Sequence, residues 1–394
     1  MTRLIAGNLD CDLEFQGARR LTPSRQVLAT IAPLATLLRA FALEGDRLWT
    51  PGPVRPECMA EVPGLARPLL ISVDRQSLDQ LDPGSGLLAW AETGTVAKLR
   101  RRVRRPEGTG GSGLAERIWR LPPAEPRTVA ELNHRGIALR LADALGCALP
   151  GAALLHDPAE LDRHLEQGGA AASPTRRFVL KAPWSSSGRS RAIMSADELR
   201  QPGPGERVAR LFAGHGELLF EPWMERSGDY GCAALATGDG VDLIGLHSQE
   251  LDPRDGRFLG LLLESGGAPF SGLSAIERVT LEETARTVGT RLAERGYRGP
   301  FGLDAWRYVT AGGEQRFHPL GEINVRMTMG LVVHALVERL LEQGDRGDRG
   351  DRAAIRFRTG RPDEAPEPCG EIVELVHPGR SSAASGAWLE WRAS

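Results

Sequence analysis

Between residues 177 and 325 the chain is cut into short strand-like runs, several joined by glycine turns, and this rhythm limits its fold more than any other feature. The runs are 177–182, 191–194, 218–222, 231–236, 241–246, 258–263, 301–309 and 316–325. Thr237-Gly238-Asp239-Gly240 and Thr310-Ala311-Gly312-Gly313 are turns that favour antiparallel hairpins. Helix starts are predicted at Thr128/Glu131, Asp157/Glu160, Ser195/Glu198 and Thr280/Glu283, where a hydroxyl or carboxylate can accept from a free amide and the acid can reach back. The first of these helices is predicted to stop at Gly146 and the last at Gly296. Strands paired as hairpins with helices between them give an α+β class, not a TIM barrel or a simple Rossmann fold.

The 394 residues exceed what one core organises, so several domains are expected. A net charge of -2 argues against a general nucleic-acid binder. The basic run 100–105 reads as a solvated helix end leading into a glycine-rich connector, and the three Gly-Asp-Arg triplets of 344–352 as a surface loop. No apolar run approaches a membrane span, and the N-terminus reaches Asp10 and Asp12 before a signal-peptide core could form. Five scattered cysteines show neither a disulfide framework nor metal-ligand spacing, so a cytoplasmic location is expected.

Chemistry concentrates at a few residues. The chain has two lysines, Lys98 and Lys181, among 49 basic residues, and Lys181 ends a strand-like run just before Ser185-Ser186-Ser187-Gly188-Arg189. A chain that writes nearly every cation as arginine keeps lysine where a compact point charge suits, as on a phosphate. In Gly321-Glu322-Ile323-Asn324-Val325-Arg326, strand alternation projects Glu322, Asn324 and Arg326 from one face. A carboxylate and an amide oxygen two residues apart suit Mg²⁺, and a hairpin would bring Asp304 alongside. Taken alone, this pattern also describes a solvated sheet face.

The order Lys181, small-residue loop, Glu221-Pro222-Trp223-Met224, Asp304 and Glu322-x-Asn324-x-Arg326 resembles the ATP-grasp superfamily, over roughly residues 128–335. The resemblance implies an ATP-grasp fold preceded by a small α/β N-terminal domain. The expected division is 1–113 for that domain and its linker, 114–175 for a central helical and α/β segment, 176–225 for a small lid, 226–343 for the large subdomain, and 344–394 for a linker and C-terminal segment. It also implies a ligase that uses ATP and Mg²⁺, with Mn²⁺ acceptable, to join a small-molecule carboxylate to an amine, with no nucleic-acid or membrane partner and a homodimer allowed. A phosphotransferase and a noncatalytic nucleotide-binding module are the rivals.

By the same resemblance, Arg135 replaces a lysine that touches phosphates, Lys181 is the second such cation, and Ser186, Ser187 and Gly188 form a flap over them. Glu221, Pro222 and Met224 form the adenine hinge, where the Pro222 carbonyl accepts and the Met224 amide donates, and Asp229 faces the ribose. Asp304, Glu322 and Asn324 hold the metals, and Arg326 steadies the transferred phosphoryl group. For the acceptor, His247 to Glu250 face either the substrate or a hairpin corner, and Arg257 has the charge to hold a carboxylate.

Overall fold

The computed structural model describes residues 2–17, 23–71, 86–103, 113–185, 190–252, 256–264, 272–343, 354–360, 371–377 and 385–392. Ser186, Ser187 and Gly188, most of the connector after the basic run, and the Gly-Asp-Arg triplets lie outside the described residues.

Three sheets carry the chain. In order, the strands are β1 (Arg3–Ala6), β2 (Arg47–Trp49), β3 (Leu69–Ile71), β4 (Gly86–Ala89), β5 (Ala153–Leu155), β6 (Arg177–Lys181), β7 (Arg191–Ser195), β8 (Leu218–Pro222), β9 (Glu225–Ala236), β10 (Val241–Leu251), β11 (Phe258–Glu264), β12 (Gly299–Val309), β13 (Gln315–Asn324), β14 (Ala354–Gly360), β15 (Glu371–Val376) and β16 (Gly386–Arg392). The N-terminal sheet is parallel, in the order β3-β2-β1-β4. Every residue of β1 is buried, as a parallel strand covered on both faces requires, and its Arg3 is neutralised by Asp46 at 2.8 Å. This is the small α/β unit expected at the N-terminus.

A second, antiparallel sheet runs β5-β8-β6-β7 around its own core of Leu155, Phe178, Leu180, Phe212 and Phe220. The third sheet is antiparallel, β13-β12-β9-β10-β11-β14-β16-β15, so the C-terminal segment adds three strands to it. The two glycine turns join β9 to β10 and β12 to β13, as expected, with Gly313 at a φ of 81° that favours a residue without Cβ. Helices Ala275–Glu294 and Met329–Gln343 pack on this sheet, in a core shared with the N-terminal Leu37 and Phe41.

Two predicted helix starts are displaced. Thr280 lies inside a helix that opens at Ser274, whose side chain and Glu277 form the capping box, while the Thr280 hydroxyl donates back to the Ile276 carbonyl. Thr128 lies inside Pro126–Leu132, which opens at Pro126 because proline's fixed φ and missing amide suit the first turn. That helix ends at Asn133, and a new one, Arg135–Ala144, begins under a cap from the His134 ring to the Gly136 amide at 3.0 Å. The boxes at Ser195/Glu198 and Asp157 open helices as expected.

Candidate active site

β12 and β13 place the acidic residues. In their antiparallel register Asp304 faces Glu322 and Gly302 faces Asn324, while Leu303 and Ile323 turn into the core. The Asn324 amide donates to Asp304 Oδ2 at 3.3 Å, and Arg326 donates to Asn324 Oδ1 at 2.8 Å, so Asp304, Asn324 and the arginine form one connected row, with Glu322 facing Asp304 beside it. Burial, and then the neighbouring Glu322 charge, raise the Asp304 carboxyl to about 6.

Gln249 completes the row from an unexpected direction. It lies on β10, two strands from Asp304, and its amide donates to Asp304 Oδ1 at 2.7 Å across the intervening β9. The β9 residue between them is Gly231, where a Cβ would meet the His247 ring at 2.3 Å and the Gln249 amide at 3.0 Å. The bare backbone at 231 is therefore what admits both side chains. His247 to Glu250 thus lie within β10, not at a hairpin corner, and Glu250 points instead to Arg356 on β14.

The cationic residues come from the β5-β8-β6-β7 sheet and the helix before it. Arg135 donates to the carbonyls of Ala182 (2.6 Å) and Ser185 (2.7 Å), to the Ser185 hydroxyl (2.8 Å) and to Glu322 (2.9 Å). One guanidinium thus ties the root of the serine loop to the acidic row. Asn133 anchors the same junction, accepting from the Val325 amide at 3.0 Å and donating to the Val325 carbonyl at 3.1 Å.

Lys181 is ion-paired with the buried Glu221 on neighbouring β8, and its ammonium lies 5.8 Å from the Trp306 ring. Burial alone would raise the Glu221 carboxyl, but Lys181, with His318 and Arg226, holds it below its ordinary value. Arg226 stacks on the other partner of this group, 3.9 Å from the Trp306 ring, and bonds Asp229 at 2.7 Å.

At the hinge, Pro222 ends β8, and the main chain of Trp223 is held by the sheet through Arg177 (2.9 Å) and Ser173 (2.7 Å). Met224 is buried against Leu149, Trp306 and Tyr308. A cavity of about 510 Å³ is lined by Lys181, Arg135, Trp223, Asp229, Asp304 and the Glu322-x-Asn324-x-Arg326 face, and it continues toward the N-terminal domain. Sequence reasoning missed Gln249's hold on Asp304, and the signal, Gly231 within β9, reads as a close approach only once the neighbouring strands are known.

No family model matches the chain, and no curated protein does. Solved structures do. The chain is similar to the beta-gamma-ATP complex of biotin carboxylase from Campylobacter jejuni, at 12% identity over 99% of this chain and 87% of that one, with a TM-score of 0.57. It is similar to the ADP complex of N5-carboxyaminoimidazole synthetase from Staphylococcus aureus, at 10% identity over 100% and 93% of the two chains, TM-score 0.53. A third is the biotin carboxylase domain dimer of the Hydrogenobacter thermophilus 2-oxoglutarate carboxylase with MgADP, ADP and bicarbonate, at 14% identity over 99% and 86%, TM-score 0.55. At such identities the likeness is one of architecture, and it spans both the N-terminal sheet and the two sheets that bound the cavity. The chain has the fold of the ATP-grasp enzymes.

Proposed function

We propose that the chain is a Mg-ATP-dependent ligase that activates a carboxylate as an acyl phosphate and transfers the acyl group to an amine, releasing ADP and phosphate. The observation that carries this reading is the Arg135 bridge, which brings the Lys181 strand end and the Asp304, Glu322, Asn324 row to one cavity. The three solved neighbours described above carry ATP or ADP in their names and are ATP-dependent ligases, which supports the reaction class.

The residues fit a divalent cation. Asp304 and Glu322 are carboxylates directly opposite one another in the register, and burial, then the Glu322 charge, raise the Asp304 carboxyl to about 6, where a bound cation would favour its ionised form. Among the described residues no group of three or more His, Cys, Asp or Glu side chains gathers, so the set is two carboxylates and the Asn324 amide oxygen, with phosphate oxygens to complete it. Mg²⁺ held there, or Mn²⁺ in its place, would supply charge neutralisation on the phosphates.

Lys181 and Arg135 bring positive charge to the cavity, the hinge of Pro222 and Met224, whose Trp223 lines the cavity, would offer backbone to adenine, and Asp229 would offer an acceptor for a ribose hydroxyl. In the first step a carboxylate oxygen attacks the γ-phosphorus in line, and the bond to the β,γ-bridging oxygen breaks with its electron pair leaving on ADP. In the second, the amine nitrogen attacks the acyl carbon, phosphate departs with the C–O electron pair, and the amine proton passes to solvent. Arg326 steadies the anionic groups throughout.

The test is hydroxylamine trapping. With ATP, Mg²⁺ and an accepted acid, the protein should form a hydroxamate with stoichiometric ADP and phosphate. ADP without free phosphate would move the assignment to a phosphotransferase, and no nucleotide turnover with any acid would leave a binding module.

A further inference from the structure

The cavity has two chemically different ends. Its carboxylates among the described residues, Asp229, Asp304 and Glu322, belong to β9, β12 and β13. Beyond Arg326 the wall changes character. Helix Arg25–Ala35 turns Val27, Thr30, Ile31 and Leu34 toward the space, at the i, i+3, i+4, i+7 spacing of a single face. Leu251 and Phe258 of β10 and β11 line it from the large sheet and Met329 from the start of its helix, and the charged lining groups there, among the described residues, are Arg191, Arg257 and Arg326.

Among the described residues these lining side chains are half-buried and border the cavity, so their exposed apolar surface faces it. Ala32 on the far side of the helix and Ala35 at its flank are buried, and Leu34 also touches the main core, so Val27 and Ile31 are the apolar positions additional to the helix's packing face.

We infer that this end binds the acid to be activated, and that the acid has an aliphatic or aromatic body and no free ammonium group. Its carboxylate lies at Arg326, beside the acidic row where phosphoryl transfer would occur, and its body runs along the Val27/Ile31/Leu34 stripe against Phe258. A small hydrophilic acid would leave that wall wet. A zwitterionic amino acid would bring an ammonium to an end whose charged lining side chains, among the described residues, are Arg191, Arg257 and Arg326, with Asp252 behind Arg257 at 3.9 Å and outside the lining. This inference rests on the ligase reading above.

Hydroxamate formation by the full chain with ATP and Mg²⁺ is measured across acetate, butanoate, hexanoate, 4-methylpentanoate, 3-phenylpropanoate and leucine, with ADP release followed for bicarbonate. The expected result is kcat/KM rising roughly fourfold for each methylene buried, with 4-methylpentanoate well above leucine. Ile31→Trp, which fills the groove, should erase the preference for longer acids while leaving the KM for ATP unchanged. Phe258→Ala, which widens it, should extend the preference, and it serves if the first variant fails to fold. Binding of 3-phenylpropanoate, followed by the fluorescence of Trp90 on the same wall, should be lost in Ile31→Trp. Turnover with acetate, bicarbonate or leucine as the preferred acid overturns the inference and leaves the ligase reading standing. Absence of both ADP release and binding with every acid removes the ligase reading and the inference with it.

Discussion

Asp304 and Glu322 face each other across adjacent antiparallel strands, and the Asp304 carboxyl is raised to about 6 by burial and by the Glu322 charge. For an acid raised in the folded state the sign is fixed: its stabilising contribution is complete below the unfolded value near 3.8 and is lost as pH rises through about 6. Asp304→Asn should therefore raise the Tm of the metal-free protein at pH 7.5 and by clearly less at pH 4.5. The same variant should lose ligase activity by orders of magnitude, and Mg²⁺ should raise the Tm of the wild type but not of the variant. A Tm unchanged at pH 7.5 in Asp304→Asn would show that the two carboxylates do not oppose one another.

The Lys181 ion pair changes what removal of that lysine should do. Replacing a phosphate-binding lysine on an open loop would leave the fold alone, but Lys181 neutralises a buried carboxylate. Lys181→Met should cost about 3 to 5 kcal/mol of stability, the usual consequence of stranding one member of a buried pair. The double variant Lys181→Met/Glu221→Gln should recover most of that loss in denaturant unfolding yet still fail to bind ATP tightly. If stability returned and nucleotide affinity returned with it, Lys181 would be a structural cation and not a phosphate ligand.

The strand plan was legible because period-two patterning and glycine turns are local signals, and the hairpins β9–β10 and β12–β13 end at Thr237-Gly240 and Thr310-Gly313 as those signals require. Helix starts were less legible. Ser274/Glu277 and Thr280/Glu283 offer the same box six residues apart, and only tertiary contact decides how far the helix extends upstream. The break between Asn133 and Arg135 was hidden for a different reason. Asn133 leaves the helix to bond both main-chain groups of Val325, a partner 192 residues away. Gln249 reaching Asp304 over Gly231 is likewise a relation between three strands, which no window of sequence contains.

Arg135 stands where the resemblance expects a lysine, and the structure gives its guanidinium a task no ammonium could perform. It spans two carbonyls, a hydroxyl and a carboxylate in fixed directions, all within 2.6 to 2.9 Å. Arg135→Lys keeps the charge but loses the fork. The expected outcome is a KM for ATP raised at least about tenfold, from loss of roughly 1.5 to 3 kcal/mol of charge-assisted hydrogen bonding. Faster proteolysis near Ser185 should accompany it as the loop root loosens. Wild-type kinetics in the lysine variant would mean that the positive charge alone matters at 135.

Three histidines make the fold sensitive to acid away from the carboxylates. Burial lowers His247 to about 3, with His334 adding to the effect, and lowers His334 and His318 each to about 4. The first two are neighbours, ring centroids 6.2 Å apart, seated where Gly231, Gly245 and Gly330 leave room for the rings. A histidine held neutral in the folded state binds its proton on unfolding, so the stability it supports is intact above pH 6.5 and falls as pH drops toward 4. Urea unfolding followed from pH 7.5 to 4.5 should show that decline. His334→Leu, similar in volume and unable to titrate, should flatten the slope between pH 6.5 and 4.5 by about one proton's worth, even where it lowers stability at neutral pH. A variant whose pH slope matches the wild type would show that His334 is protonated in the folded protein, against the burial that Gly245 makes possible.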